Sequence, residues 1–286
     1  MKAIPVLVPP LPEQHRIVAK IDALFSELDK GVEMLQTVRA QLRTYRQAVL
    51  KWAFEGREWE MKPFSEIADS RLGKMLDKEK NTGVPREYLR NINVRWFGFD
   101  CSDLLEMRIE DSETEKYKVK RGDLLICEGG EPGRCAIWES DKTIAFQKAL
   151  HRVRMKPEHS PDFLMYYIYF ITATGRAKKF YTGSGIKHLT GESLAKISVP
   201  SPLFTVQVQT VAEIESRLSV CDKLEQLVDE NLAKAQALRQ SILKKAFAGE
   251  LVPQDPSDEP AEKLLERIQA MKAAATKTTT AGRARK

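Results

Sequence analysis

The stretch RQAVLKWAFEG, at residues 46–56, recurs as RQSILKKAFAG at residues 239–249, a shift of 193 positions. Seven of the eleven positions are identical, and two more exchange residues of the same class. The same shift, without a gap, aligns further identical pairs: Ile4 with Ile197, Gln14 with Gln207, and Asp29 with Asp222. Residues 4–56 and 197–249 are therefore two copies of one unit, separated by about 140 residues of different character.

Both copies predict a long helix that starts after prolines and ends near a glycine. Prolines block a helix, so the helices should begin after Pro12 and Pro202, and Gly56 and Gly249 suit their C-caps. Apolar residues then recur at alternating steps of three and four, the seam of a coiled coil. The seam positions are Ile17, Ile21, Leu24, Leu28, Val32, Leu35, Val38, Leu42, Tyr45 and Val49 in the first copy, and Val211, Ile214, Leu218, Cys221, Leu224, Val228, Ala235, Leu238 and Ile242 in the second. Two helices of roughly 60 Å can bury these seams by pairing antiparallel within one chain.

Residues 57–196 predict a globular insert of mixed α/β structure. Residues 117–138 favour two strands joined by a turn at residues 129–133, because aromatic and β-branched residues flank a glycine-rich segment. Residues 149–155 alternate apolar and polar side chains, which indicates a half-buried strand. A helix with an aromatic face should open at Pro161. The expected fold class is α+β, with the mixed α/β domain inserted between two long helices that form an antiparallel coiled coil.

The charge of the insert is uneven. The whole chain carries a net charge of +6 with a pI of about 9.0, which permits nucleic acid as a partner. Residues 97–141 hold 6 basic and 12 acidic residues, whereas residues 142–200 hold 10 basic and 3 acidic residues. Concentrated positive charge is what phosphate contacts require, although a solvated basic face would have the same composition.

Motifs for autonomous catalysis are absent from the sequence. It contains no GxxxxGK[ST], no GxGxxG that opens a helix, no HExxH, and no Asn-Pro-Pro-aromatic tetrapeptide. We therefore expect no cofactor, no metal and no enzyme activity of the chain alone. The four cysteines form no CxxC pair, which favours reduced thiols in a cytoplasmic protein. No apolar run reaches the roughly 18 residues of a membrane span, so we expect no membrane association.

The two helical copies, their proline entries and the insert together resemble the specificity subunits of type I restriction–modification systems. The segments that carry the resemblance are IPVLVPPLPEQHRIVAKIDALFSELD, the twin phrases at 46–56 and 239–249, GSGIKHLTGESLAKISVPSPL, and GELVPQDPSDEPAEKLLERI. By this resemblance, residues 1–56 are a proline-led entry and the first helix, and residues 57–200 are a DNA-binding target-recognition domain. Residues 201–251 form the second helix, and residues 252–286 a linker, a short helix and a basic disordered tail.

The resemblance implies a function in DNA recognition. Such a subunit reads double-stranded DNA and directs methyltransferase (modification) and restriction subunits to a specific split site. In that family a recognition domain followed by a long helix occurs twice, whereas the order here is helix, domain, helix. The chain therefore looks like a truncated or split form with one recognition domain, and we expect a second copy or another half specificity subunit to supply the other half-site. A coiled-coil scaffold whose insert binds protein or RNA is the alternative function.

Candidate DNA contacts lie in the predicted loops of the insert. Arginine can pair bidentately with guanine and asparagine with adenine, and lysines neutralise phosphates. The candidates are Lys74, Arg90, Asn91, Gln147, Lys148, His151, Ser184, Lys187 and His188. Strand alternation requires that some of these side chains point into the core, and a lone histidine such as His151 is as compatible with a structural role.

Overall fold

The computed structural model describes residues 7–77 and 79–283, and for residues 274–283 it describes the backbone only. The α-helices in this part of the chain are α1 Leu11–Phe54, α2 Phe64–Ile67, α3 Pro161–Ala173, α4 Gly191–Ala195, α5 Phe204–Phe247 and α6 Ala261–Arg283. The strands are β1 Met61–Pro63, β2 Ala68–Leu72, β3 Val84–Leu89, β4 Val94–Arg95, β5 Gly98–Phe99, β6 Leu105–Ile109, β7 Lys118–Val119, β8 Leu124–Cys127, β9 Cys135–Ile137, β10 Ile144–Phe146, β11 Leu150–Met155 and β12 Ser198–Pro200. Short 3-10 turns cover Asn91–Asn93, Asp111–Glu113 and Arg176–Phe180. None of the helices so described is both long and apolar enough to cross a membrane.

The chain divides into two compact units by its internal contacts. A helical unit comprises residues up to 42 and from 222 onward, and a globular unit comprises residues 43–221. The globular unit thus extends beyond the predicted domain at 57–200 and includes one end of each long helix. The reason is packing, since Val49, Leu50 and Ala53 of α1 and Ile214 of α5 belong to the core of the globular unit.

The helical unit pairs α1 with α5 in antiparallel order. Arg239 binds Asp29 with nitrogen–oxygen distances of 2.8 and 3.0 Å, and Arg39 binds Asp229. As the residue number rises by ten along α1, that of its partner on α5 falls by ten, which is the register of an antiparallel pair. The seam residue Val228 is buried. The predicted antiparallel coiled coil is confirmed, and the two helices begin and end within two residues of the predicted positions.

The C-terminal segment of the helical unit is more helical than predicted. Arg16 of α1 binds Asp258 at 2.6 Å, which ties the linker before α6 to the first helix. Helix α6 then continues to Arg283, so the prediction of a disordered tail is wrong for residues 276–283. Residues 284–286 of that prediction lie outside the described residues.

The globular unit contains two four-stranded sheets and two short strand pairs. One sheet has the order β2-β11-β8-β9 and is antiparallel throughout, and the other has the order β6-β3-β10-β7 with β3 and β10 parallel. The hairpin predicted around residues 129–133 is confirmed as β8 and β9, and the helix predicted at Pro161 is confirmed as α3. The Ser160 hydroxyl caps that helix by accepting a hydrogen bond from the Phe163 amide.

Strand β11 differs from its prediction because its first four residues are buried on both faces. Val153 faces the core that also holds α3 and the end of α1. Leu150, on the other face, packs with Phe146 and Leu125 in a second apolar cluster between the two sheets. The half-buried pattern expected for residues 149–155 is therefore wrong, since polar alternation in this strand reflects specific buried partners and not exposure to water.

Candidate nucleic-acid interface

Backbone hydrogen bonds bring three of the predicted site loops together at the ends of β2, β3 and β10. The Lys74 amide donates to the Phe146 carbonyl at 3.0 Å, and the Lys148 amide donates to the Lys74 carbonyl at 2.9 Å. The Gln147 amide donates to the Leu89 carbonyl at 3.1 Å. Because these bonds join main chain to main chain, the loops hold one another in place independently of their side chains.

The glycine-rich hairpin between β8 and β9 adds two more loops to the same group. The Glu128 amide donates to Ala149 at 2.9 Å, and the Leu189 amide donates to the Glu128 carbonyl at 2.7 Å. The Asn91 side-chain amide donates to the Gly129 carbonyl at 3.3 Å. Five segments that are distant in sequence therefore meet around one hairpin, on the scaffold of the two sheets.

Glycine is needed in this hairpin for close approach. Gly130 has φ of +78°, and a Cβ placed there would lie 2.6 Å from the Asn91 side-chain nitrogen. A Cβ at Gly129 would lie 3.1 Å from Nδ1 of His188. The hairpin backbone thus packs directly against the side chains of Asn91 and His188. This close packing accounts for the glycines, so no phosphate-binding role is needed to explain them.

Six of the predicted side chains remain accessible in this loop group. Lys148, Ser184 and Lys187 are exposed, whereas Asn91, Gln147 and His188 are half-buried. The loop that carries Ser184 and Lys187 is closed by paired backbone hydrogen bonds between Thr182 and His188 at 2.8 and 3.0 Å. In the described part of the chain, neither Lys148 nor Lys187 lies within ion-pair distance of a carboxylate, so both charges are available to an anion. We call the loops that carry these six residues the recognition loops, after the role that the sequence predicts for them.

Lys74 lies inside the protein instead of at this surface. Its ammonium group binds the carboxylates of Glu110, at 2.6 Å, and Glu113. The hydrogen bond from Lys74 lowers the pKa of Glu110 to about 2, so the carboxylate stays ionised in all ordinary buffers. A buried lysine whose charge is already compensated by two carboxylates has no group to offer to DNA, which argues against the predicted contact.

His151 and Arg90 are likewise committed within the fold. His151 is 1 % exposed, and its Nε2 atom lies 2.9 Å from the Leu189 carbonyl. Burial lowers the pKa of His151, which favours the neutral, structural form. Arg90 binds both the carboxylate and the backbone carbonyl of Asp103 at 2.7 Å. The structure therefore separates these three predicted residues, Lys74, Arg90 and His151, from the recognition loops.

Two arginines that are not among the predicted DNA contacts lie opposite each other in the sheet. Arg152 of β11 pairs in register with Arg71 of β2, and Arg154 of β11 pairs with Asp69. Arg154 also forms a two-pronged ion pair with Asp123, at 2.7 and 2.9 Å. The alternation of arginines in HRVRM places Arg152 and Arg154 on one face, which is a signal, but their cross-strand neighbours cannot be read from the chain alone.

The described residues contain neither a metal-binding cluster nor a reactive thiol site. No group of three or more His, Cys, Asp or Glu side chains there could hold a metal ion. None of the four cysteines forms a disulfide, and only Cys101 is exposed. Burial raises the pKa of Cys127 to about 11, which makes it a poor nucleophile.

Comparison with known proteins agrees with this architecture. The family described as "Type I restriction modification DNA specificity domain" matches residues 56–232. The chain is 28 % identical over 301 residues to the EcoKI type I restriction enzyme specificity subunit of Escherichia coli strain K12, covering 95 % of this chain and 64 % of that protein. It is 26 % identical over 301 residues to the StySPI type I restriction enzyme specificity subunit of Salmonella potsdam, covering 94 % of this chain and 64 % of that protein. The chain thus spans just under two thirds of the length of these relatives.

Solved structures show the same fold. A structure from a study of complex assembly and conformational transition of a type I restriction–modification system matches with a TM-score of 0.71 and 19 % identity, over 85 % of this chain and 61 % of that one. The HsdS subunit of Thermoanaerobacter tengcongensis matches with a TM-score of 0.57 and 20 % identity, over 85 % of this chain and 60 % of that one. Since the family match covers more than half of the residues, the chain belongs to the type I restriction–modification DNA specificity family.

Proposed function

We propose that this chain is the DNA sequence-recognition component of a type I restriction–modification complex. In this role the globular unit binds duplex DNA through the recognition loops. The chain directs methyltransferase (modification) and restriction subunits to that DNA. The chain itself contributes binding and positioning and performs no catalysis, and it works in the cytoplasm, where the DNA is accessible.

One observation carries the proposal beyond the family match. Five separate loops converge at one surface, and that surface offers two uncompensated lysines beside hydrogen-bonding side chains. Lysines supply the salt-dependent attraction to phosphates, and Asn91 and Gln147 are side chains of the type that can bond adenine edges. Loops on a rigid scaffold are the usual place for such contacts, because their sequences can vary without disturbing the core.

The arrangement favours a split recognition site. The described residues contain one globular unit between two copies of the helical repeat, so we propose that it reads one half-site. A second unit of the same kind would read the other half-site. Two identical readers related by a two-fold axis would require a palindromic site with an unread spacer, whereas two different readers would require unlike halves.

The experiment that tests this function is methylome mapping with and without the protein, in cells that contain its methyltransferase subunits. The expected result is a single split motif whose methylation disappears with the protein. Binding of the purified complex to a duplex carrying that motif should weaken steeply with salt. Methylation that persists unchanged without the protein, or a compact motif without a spacer, would contradict the proposal.

A charge-reversal pair tests the surface itself. Lys148→Glu combined with Lys187→Glu should weaken DNA binding and flatten its salt dependence, because two phosphate contacts are replaced by repulsion. The matched control is Lys178→Glu combined with Lys179→Glu, which makes the same change of charge at two exposed lysines on the 3-10 turn outside the recognition loops. Equal loss of affinity in both double variants would show a general charge effect and not a binding surface.

A further inference from the structure

Arg71 and Arg152 form an unusual pair in the sheet of the globular unit. They are directly opposite across the antiparallel strands β2 and β11, so their side chains leave the same face of the sheet. The Cβ atoms of such a pair are about 5 Å apart, and like charges at this position destabilise a sheet. A pair of this kind is expected to persist where an anion compensates it.

Neighbouring basic side chains are already paired with carboxylates. Arg154 is neutralised by Asp123, and Lys74 by Glu110 and Glu113. Glu115 forms ion pairs with both Lys118, at 3.0 Å, and Lys120, at 3.4 Å. Within the described ranges, no carboxylate lies within ion-pair distance of Arg71 or Arg152, so neither charge has a direct ion-pair partner.

Arg152 is held rigidly although it has no acidic partner. Its Nη1 group donates to the backbone carbonyls of Lys116, at 3.1 Å, and Lys118, at 2.5 Å. The guanidinium carbon lies 5.5 Å from the centre of the Phe146 ring. The residue is only 7 % exposed, and its Nε atom is buried without a hydrogen-bond partner. Burial is the main reason why the pKa of Arg152 is lowered, followed by repulsion from Arg154. Asp123 and Glu115 raise the pKa but do not offset the burial.

We infer that Arg71 and Arg152 together form a binding site for a phosphate group of the DNA backbone. A guanidinium group binds phosphate oxygens well, and the Nη1 group of Arg152 is already fixed by its two carbonyl bonds. Because its Nε atom is buried, Arg152 has its Nη2 group left to donate to a phosphate oxygen. The exposed Arg71 supplies the accessible side of the site. In the described structure neither guanidinium forms an ion pair with a carboxylate, and Asp123 and Glu115 act on Arg152 only from beyond ion-pair distance.

The position of the pair fits a contact that sets register. Strand β2 ends one residue after Arg71, and the chain then runs to Lys74, whose main chain bonds Phe146 and Lys148 beside the recognition loops. Three residues of extended chain cover roughly 10 Å, so a duplex in contact with the recognition loops can also reach Arg71. Phosphate contacts of this kind fix the register of the protein on the duplex and do not read sequence. This inference rests on the proposed function and adds a positioning site to it.

The test compares Arg71→Gln with Arg121→Gln in the assembled complex. Arg121 is exposed, pairs with Asp141 at 2.9 Å and belongs to neither β2 nor β11. Its replacement by glutamine therefore makes the same change of charge outside the proposed site. Arg71→Gln should weaken binding by the same factor for cognate and unrelated duplexes. It should also reduce the slope of log affinity against log salt by about one. Arg152→Lys, which keeps the charge and removes the fork, should weaken binding at unchanged sequence preference.

Each outcome decides the inference. A salt slope for Arg71→Gln equal to that of Arg121→Gln overturns it, as does an Arg152→Lys protein with a lower unfolding temperature but unchanged DNA affinity, since Arg152 would then only support β7. If the Lys148 and Lys187 double variant loses affinity and Arg71→Gln does not, the phosphate site fails while the proposed function stands. If the wild-type complex does not bind duplex DNA, both fail.

Discussion

The two copies of the repeated phrase have nearly the same residues but different environments. Leu50 in the first copy is 2 % exposed, whereas its counterpart Leu243 is 37 % exposed. Phe54 packs against the rings of Phe163, Tyr167 and Phe170, with centroids 5.3 to 5.4 Å apart. Its counterpart Phe247 is 75 % exposed and lines an open apolar groove of about 680 Å³ in the helical unit. Of two nearly identical phrases, only the one that packs against the aromatic face of α3 is buried.

The largest expected difference between the copies is at these two phenylalanines. Phe54→Ala should lower the unfolding free energy of the globular unit by about 3 kcal/mol, because it leaves a cavity among three aromatic rings. Phe247→Ala should change the stability of the helical unit by no more than about 0.5 kcal/mol, because that ring is mostly in water. Denaturant unfolding followed by tryptophan fluorescence and by circular dichroism measures both. Equal losses in the two variants would mean that the copies are packed alike.

The seam of the coiled coil sharpens the same comparison. Leu35 and Val228 are counterparts in the repeat, but Val228 is 4 % exposed while Leu35 is only half-buried. Val228→Asp should destabilise the helical unit by about 2 to 3 kcal/mol through burial of an unpaired carboxylate, and Leu35→Asp by less. Circular dichroism melts, and binding of the methyltransferase subunits proposed as partners, are the measurements. Unchanged helicity and docking in Val228→Asp would contradict the pairing of α1 with α5.

A smaller effect distinguishes the glutamines at the start of each copy. Both Gln14 and Gln207 donate to a preceding proline carbonyl, at 2.9 Å to Pro9 and 2.8 Å to Pro202. Gln207 also accepts from the Ser160 amide at 2.9 Å, which anchors the start of α3. Gln207→Ala should therefore cost about 1 to 2 kcal/mol, because a buried amide loses its partner, and Gln14→Ala about half as much. Hydrogen exchange at the start of α3 should accelerate only in Gln207→Ala.

The smallest expected effect is a gain in stability. Gly31 stands inside α1 where the second copy has Leu224, and a Cβ added at Gly31 would have no atom within 4 Å. Gly31→Ala should stabilise the helical unit by about 1 kcal/mol. Gly249, with φ of +75°, is the control, because alanine in that conformation should cost about 1 kcal/mol. A rise in melting temperature for Gly249→Ala, or a fall for Gly31→Ala, would contradict this account.

Sequence alone determined the elements whose signals are local or repeated. The 193-residue shift, the prolines and the three–four spacing predict both long helices to within two residues, and glycine punctuation predicts the β8–β9 hairpin. These features depend on backbone conformation and on the period of one segment, which neighbours in sequence dictate. The loops that hold Asn91, Lys148 and Lys187 were predicted as loops for the same reason, since loops interrupt a periodic pattern, and their contact with DNA stays a prediction.

Only the tertiary structure decided which of the candidate side chains reach the surface. Lys74 and Lys148 are both polar loop residues, yet one is buried between two carboxylates and the other is exposed. Arg71 and Arg152 are 81 positions apart, and nothing in either local sequence indicates that they are neighbours. Burial and cross-strand pairing depend on contacts between distant segments, which the period of a single segment does not encode. For that reason the repeat predicts nearly the same sequence at the C-terminal ends of α1 and α5. Only tertiary contacts determine that the end of α1 is buried in the core of the globular unit.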